Sequence, residues 1–284
     1  DPDWEAIYEL SGTEDTAFEG KAAYAKFMTN LVGDSKLTYL ETLVIENGNF
    51  TDLSCLTGLK YLQDVLIYGC TVSEEDLAVI ASLPALKNLT LSGCHLSSIA
   101  PLSAARQLIS LDLCDNAIRD ISALSFMSGL RYLNLSHNAL ENLSSLSTLS
   151  GLETLNVSYN SLTSVFPLGG CLSLKELNVS HNFITSLNGI ENMANLTLLE
   201  AGNNELKDAS PIANCTQLTQ LNISYNAITD ITHLSVLTAL KSFDFSHNKI
   251  AALPAFPRDC ALVTLDGSYN SLTSVERLRG LENL

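Results

Sequence analysis

An asparagine returns every 22 residues along this chain, at Asn116, Asn138, Asn160, Asn182, Asn204, Asn226, Asn248 and Asn270. Whole segments return with it. The pattern Leu-x-x-Leu-x-Leu-x-x-Asn-x-Leu at 130–140 recurs at 152–162 and 174–184, with Val or Ile replacing some of the leucines. A strict period of this length describes a stack of small identical units, each touching only its neighbours. Extended backwards, the register reaches Cys94, then Cys70 after a 24-residue step, then Gly48 after another 22. The reading is ten repeats over residues 37–284. The two extra residues fall in Thr71–Asp76, a polar stretch expected to bulge outward from the stack.

Each unit contains one short segment of period-two alternation. This turns Leu133, Leu135 and, after a turn, Asn138 inward, and points Asn134 and Ser136 outward. One strand cannot bury its own leucines, so stability has to come from stacking. The recurring asparagine answers a second need. Where the chain leaves the strand, inward-turned N–H and C=O groups lack ladder partners, and an amide can bond both kinds. The eight asparagines therefore read as a structural ladder. Cys70 and Cys94 continue it as small buried hydrophobes with weak hydrogen-bonding capacity.

These motifs resemble the leucine-rich-repeat family. The uniform 22-residue unit is similar to the class found in bacterial internalins and in related phosphatase-regulator proteins. The resemblance implies an α/β fold, a right-handed solenoid with a parallel sheet on its concave side and short helical or extended turns on its convex side. It also implies a macromolecule-binding role for the concave face.

Register identifies what that face carries. Four residues before the ladder site stand Asp112, Asn134, Asn156, Asn178, Glu200, Asn222, Asp244 and Asp266. Two before it comes a mostly serine column, in which Cys114 takes a serine's place. Directly before it stand Asp115, His137, Tyr159, His181, Asn203, Tyr225, His247 and Tyr269. The last column supplies aromatic bodies with polar tips, the chemistry favoured at interaction hot spots. Consensus filler is the competing reading for any one of these residues. Near the start of the stack the filler pattern breaks: Val44, Glu46, Leu66 and Tyr68 take outward positions, forming an apolar patch that either binds a partner or packs under a cap.

Residues 1–36 lack the repeat. The apolar spacing of 18–32 predicts an amphipathic helix serving as N-terminal cap, with Trp4, Ile7, Tyr8 and Leu10 in an earlier helical turn. At the other end Leu278, Leu281 and Leu284 read as turn leucines with no cap sequence behind them, so a C-terminally truncated stack is expected.

Composition narrows the function. The formal charge of −16 opposes the field of a polyphosphate backbone, and no Lys/Arg stripe reverses it, so nucleic acid is not an expected partner. No apolar run approaches the ~18 residues of a membrane span. Seven cysteines without a CxxC pair indicate neither a zinc site nor a paired disulfide framework. No catalytic or phosphate-binding motif surrounds any of the five histidines, so neither catalysis nor a cofactor or metal is expected. Nine Asn-x-Ser/Thr sequons occur, and three of them, at Asn134, Asn156 and Asn178, are adjacent on the expected binding face. Glycans there would crowd that face, which argues against a eukaryotic secretory route.

The expectation is therefore a non-enzymatic module of a bacterial cell-surface or secreted protein, binding a protein or glycan on its concave face. An intracellular regulatory scaffold similar to the phosphatase-binding repeat proteins is the alternative, supported by the free thiols.

Overall fold

The computed structural model describes residues 8–11, 39–47 and 53–284. The chain folds as two compact units, residues 1–139 and 140–284. The expected cap helix over 18–32, Trp4, Ile7 and the first ladder position, Gly48, lie outside the described residues.

The first unit carries six parallel strands in sequence order: β1 (Tyr8–Ser11), β2 (Thr42–Glu46), β3 (Asp64–Tyr68), β4 (Asn88–Ser92), β5 (Ser110–Asp112) and β6 (Tyr132–Asn134). The second carries β7 (Thr154–Asn156), β8 (Glu176–Asn178), β9 (Leu198–Glu200), β10 (Gln220–Asn222), β11 (Ser242–Asp244) and β12 (Thr264–Asp266), again parallel and in order. Two expectations are corrected here. Tyr8 to Ser11 is a strand beside β2, in register with Leu43 to Glu46, and not a helical turn. An extended segment beside β2 satisfies backbone groups that an edge strand would leave unpaired. The tally of ten repeats falls one short, because eleven strands, β2 to β12, precede the ladder positions from 48 to 270.

Alternation builds the core as read. Leu133, Leu135, Leu155, Val157, Leu177 and Val179 are essentially inaccessible, while the strand residues between them are half-exposed. Each buried aliphatic side chain contributes about 1.5–3 kcal/mol over its exposed state. Most repeats return through a 3-10 turn such as Ser122–Phe126 or Thr232–Val236, whose buried leucine, Leu124 or Leu234, closes the core. One volume exchange is visible. Phe243 and Phe245 replace aliphatics in one repeat, and the next has Gly267 where a Cβ would stand 2.4 Å from the Phe245 ring. Large beside small keeps packing density constant.

The 24-residue step does more than bulge. It lets the return segment form an α-helix, α1 (Glu74–Ala81), the one α-helix among the described residues. Its capping box is reciprocal: Ser73 Oγ accepts from the Asp76 N–H at 3.0 Å, and Asp76 accepts from the Ser73 N–H at 3.3 Å. Asp76 is buried, contrary to the expected outward bulge, because its other oxygen accepts the N–H of Leu53 at 2.7 Å. The helix start is thereby fastened to the preceding repeat.

The asparagine ladder forms as argued. Asn182 Oδ1 accepts the N–H of Leu162 at 2.9 Å, and its Nδ2 donates to the carbonyls of Val157, Val179 and Ser180 at 3.0–3.1 Å. Val157 and Leu162 belong to the preceding repeat, so one amide stitches two repeats together. The thiol of Cys94 imitates this weakly, donating toward Ile67 and Ser92 carbonyls at 3.4 Å. Replacing Asn182 with Leu strands a buried N–H and several carbonyls, and is expected to cost about 2–4 kcal/mol. A urea midpoint unchanged in Asn182→Leu would contradict the ladder's role.

Candidate binding face

The column four residues before the ladder braces the chain as well as facing outward. Oδ1 of Asn134, Asn156, Asn178 and Asn222 accepts the backbone N–H two residues on at 2.9–3.1 Å, and the serine hydroxyl there at 2.7–2.8 Å. Asp112, Asp244 and Asp266 accept the equivalent N–H of Cys114, Ser246 and Ser268. The Ser268 N–H and hydroxyl hold the Asp266 carboxyl below the usual carboxylate range. This side-chain turn ends β5 to β8 and β10 to β12. It also corrects the expected outward serine column, since Ser136, Ser158, Ser224 and Ser246 are buried. The strand stops at the Asn, and the turn folds the serine back against the carboxamide. Cys114 sits likewise, its thiol 3.1 Å from Ser92 Oγ and its pKa pushed up by burial to about 12.

The column directly before the ladder has the least ordinary backbone. Asn47, Asp115, His137, Tyr159, His181, Asn203, Tyr225, His247 and Tyr269 all have φ between 52° and 57°, and Gly69 and Gly93 fill the same position with φ near 60°. Gly, Asn, Asp and His tolerate this left-handed conformation, whereas a bulky aromatic does not. The tyrosines stack all the same. Tyr159 lies on His181 with centroids 4.0 Å apart and planes 10° from parallel. Tyr225 lies on His247 at 3.9 Å, and His247 on Tyr269 at 4.1 Å. The left-handed backbone costs about 1–2 kcal/mol per residue, and a ring pair returns about 0.5–1.5 kcal/mol. These magnitudes cancel, so fold stability does not explain the tyrosines. They remain half-exposed or more, with Tyr269 75% accessible.

The repeat of β9 departs at all three columns, with Glu200 for Asn, Gly202 for Ser and Asn203 for a ring. Glu200 accepts from the Asn222 side chain. Burial first, and then the charge of Asp244, raise its pKa above the ordinary carboxylate value.

In the first unit Leu66 and Tyr68 point outward and are half-buried, as do Val44 and Glu46. The Tyr68 hydroxyl bonds Thr90, and burial with nearby Asp112 raises its pKa. Sequence reading missed one further outward column, Tyr132, Thr154, Glu176, Leu198, Gln220, Ser242 and Thr264, although period-two alternation two residues before Asn134 already implies it.

The face offers ring faces, amide donors and carboxylates. Among the described residues no group of three or more His, Cys, Asp or Glu is arranged to hold a metal ion. Two outcomes follow. Tyr225→Asn is expected to change stability by less than about 1 kcal/mol, because strain relief offsets the lost stacking; a large fall in thermal midpoint would assign the ring to the core. Glu200 has a folded pKa above its unfolded one, so its charge weakens the fold at neutral pH, and the penalty lifts as pH falls through the folded pKa. Glu200→Gln should therefore raise the urea midpoint at pH 7 and lose that advantage in acid; an equal advantage at both pH values contradicts the assignment.

A family profile described as Leucine rich repeat matches residues 84–140 and 106–162, and one described as Leucine Rich repeats (2 copies) matches 150–192, 194–236 and 216–258. No curated protein matches in sequence. An internalin, InlF, from Listeria monocytogenes is 28% identical, with a TM-score of 0.70, covering 87% of this chain and 80% of its own. Internalin C2 from the same organism is 28% identical, with a TM-score of 0.58, covering 73% and 81%. The TLR13–ssRNA13 complex, at 21% identity and a TM-score of 0.68 over 85% of this chain and 38% of that one, shares the fold alone. With family profiles spanning most of residues 84–258 over a ladder of stacked asparagines, the chain belongs to the leucine-rich-repeat family and is internalin-like.

Proposed function

We propose that this chain is a recognition module of a bacterial cell-surface or secreted protein, binding a protein ligand through the outward face of its sheet and carrying out no catalysis. The observation that carries this reading is the column of Tyr159, Tyr225 and Tyr269. Its backbone conformation is unfavourable for tyrosine, and its rings are exposed without a net return to stability. Flat aromatic bodies with polar tips are the residues that dominate protein interfaces. The likeness to internalins from Listeria monocytogenes supports a bacterial surface setting. A polyanionic ligand is opposed by the charge of −16, whereas a basic protein partner is favoured by it.

The free thiols carry less weight for an intracellular scaffold than their number implies. Cys70, Cys94, Cys171, Cys215 and Cys260 are buried. Burial raises the pKa of Cys94, Cys171 and Cys215 to about 11, which leaves them protonated and unreactive in an oxidising setting as well.

The test is comparative capture. Immobilised wild-type protein is expected to retain a protein partner from host-cell surface extracts. Tyr159→Asn/Tyr225→Asn, with its melting temperature unchanged, is expected to lose it. Capture undiminished in that variant overturns the face reading.

A further inference from the structure

The aromatic column of the second unit is interrupted at one repeat. His181 stacks below on Tyr159 and Tyr225 stacks above on His247, with Asn203 between them where every neighbour supplies a ring. Adjacent rings in this column stand 3.9–4.1 Å apart, and parallel strands repeat at about 4.8 Å. The His181 and Tyr225 rings therefore face each other across roughly 8–10 Å, two such spacings. That separation admits one planar group at stacking distance from both walls.

Asn203 puts a short amide where the neighbouring repeats put a ring. The other substitutions in the repeat act in the same direction. Gly202 removes the serine hydroxyl whose counterparts, in the four repeats with an Asn–Ser pair, donate to the column residue four before the ladder. Glu200 is thus not held in the side-chain turn that fixes Asn178 and Asn222. A Cβ on Gly202 would also meet Ser224 Oγ at 3.0 Å and Asn222 Oδ1 at 3.1 Å, so the backbone here is closely overlaid by the next repeat.

Resting on the face reading above, we propose that the vacancy at Asn203 is a slot for the guanidinium of an arginine presented by a protein ligand. It is walled by His181 and Tyr225, with Asn203 as acceptor and Glu200 as counter-charge. A guanidinium is planar, stacks on aromatic faces, and carries a fork of donors that matches a carboxylate; the ammonium of lysine does neither. A neutral aromatic guest would satisfy the walls alone. The negative charges of Glu200 and of Asp244, the latter close enough to add to the effect of burial in raising the Glu200 pKa, favour the cation. Lys175 of the preceding repeat, and Lys241 two repeats on, lie at the opposite ends of their strands from this column, and Lys249 follows the ladder residue Asn248. Lys207, in the same repeat, follows the ladder asparagine on the chain leading away from the sheet.

The experiment titrates a short capped peptide with one central arginine, and its lysine counterpart, into the full chain at matched ionic strength, following backbone amide resonances at 200–204 and 225. The arginine peptide is expected to bind at least about fivefold tighter than the lysine peptide. Asn203→Tyr, which completes the ring column, is expected to remove that preference, and Glu200→Gln to reduce it about threefold or more while the protein stays folded. Equal affinity of the two peptides for the wild type overturns the slot. So does a preference that survives Asn203→Tyr at unchanged melting temperature; should that variant unfold, a preference untouched by Glu200→Gln decides against it equally. The two readings fail separately. Asn203→Tyr keeps Tyr159 and Tyr225, so full capture of the protein partner by this variant removes the slot's role and leaves the face standing.

Discussion

Each ladder asparagine does what no backbone group can do at the point where the chain leaves its strand. Asn182 and Asn248 accept an N–H from the preceding repeat and share two amide hydrogens among three carbonyls, all inside a core otherwise built of leucine. Without them every repeat would bury unpaired polar groups, at about 1–3 kcal/mol for each. Because each amide reaches from one repeat into the one before, the same interaction that satisfies the turn also sets the spacing of the stack. Strand register, core layers and the columns of the outward face all inherit that spacing.

The turn that presents the ladder asparagine inward forces the residue before it into the left-handed conformation. This consequence was legible in principle. Gly69, Gly93, Asn47, Asp115 and Asn203 in one column are residues that accept positive φ, and a column collecting them marks such a position. Reading the column only for its aromatic chemistry left the backbone out. The inward leucines and the ladder came through because period two and period 22 are properties of the linear sequence. The buried serines did not, because alternation stops at Asn134, and the path beyond it is set by a side-chain-to-backbone bond that pattern alone does not encode.

The N-terminal misreading has a similar cause. Tyr8 and Leu10 alternate, which suits a strand as well as it suits a short helical turn, and only the presence of β2 alongside decides between them. The 24-residue step shows the reverse case. Ser73, Glu74, Glu75 and Asp76 form a helix start readable from the capping pattern, yet the burial of Asp76 depends on Leu53, 23 residues away. Local chemistry named the element, and a partner outside it fixed the side chain.

A repeat protein can place function only where the stacking rules leave freedom. Inward positions are held by packing and the ladder by hydrogen bonding. The column four residues before the ladder is half-constrained by its turn, which takes the oxygen of Asn or Asp and leaves little choice of side chain. The left-handed column is constrained in backbone but open in side chain, so a tyrosine there reports something other than folding. By the same logic the repeat that gives up a ring, a serine and the bracing asparagine together is the most informative in the chain. Gly202 and Asn203 forgo the serine hydroxyl and the ring that their neighbours keep, and Glu200 takes a hydrogen bond from the Asn222 side chain in place of the bracing turn. What the three have in common is the space they leave between His181 and Tyr225, and the charge they bring to its edge.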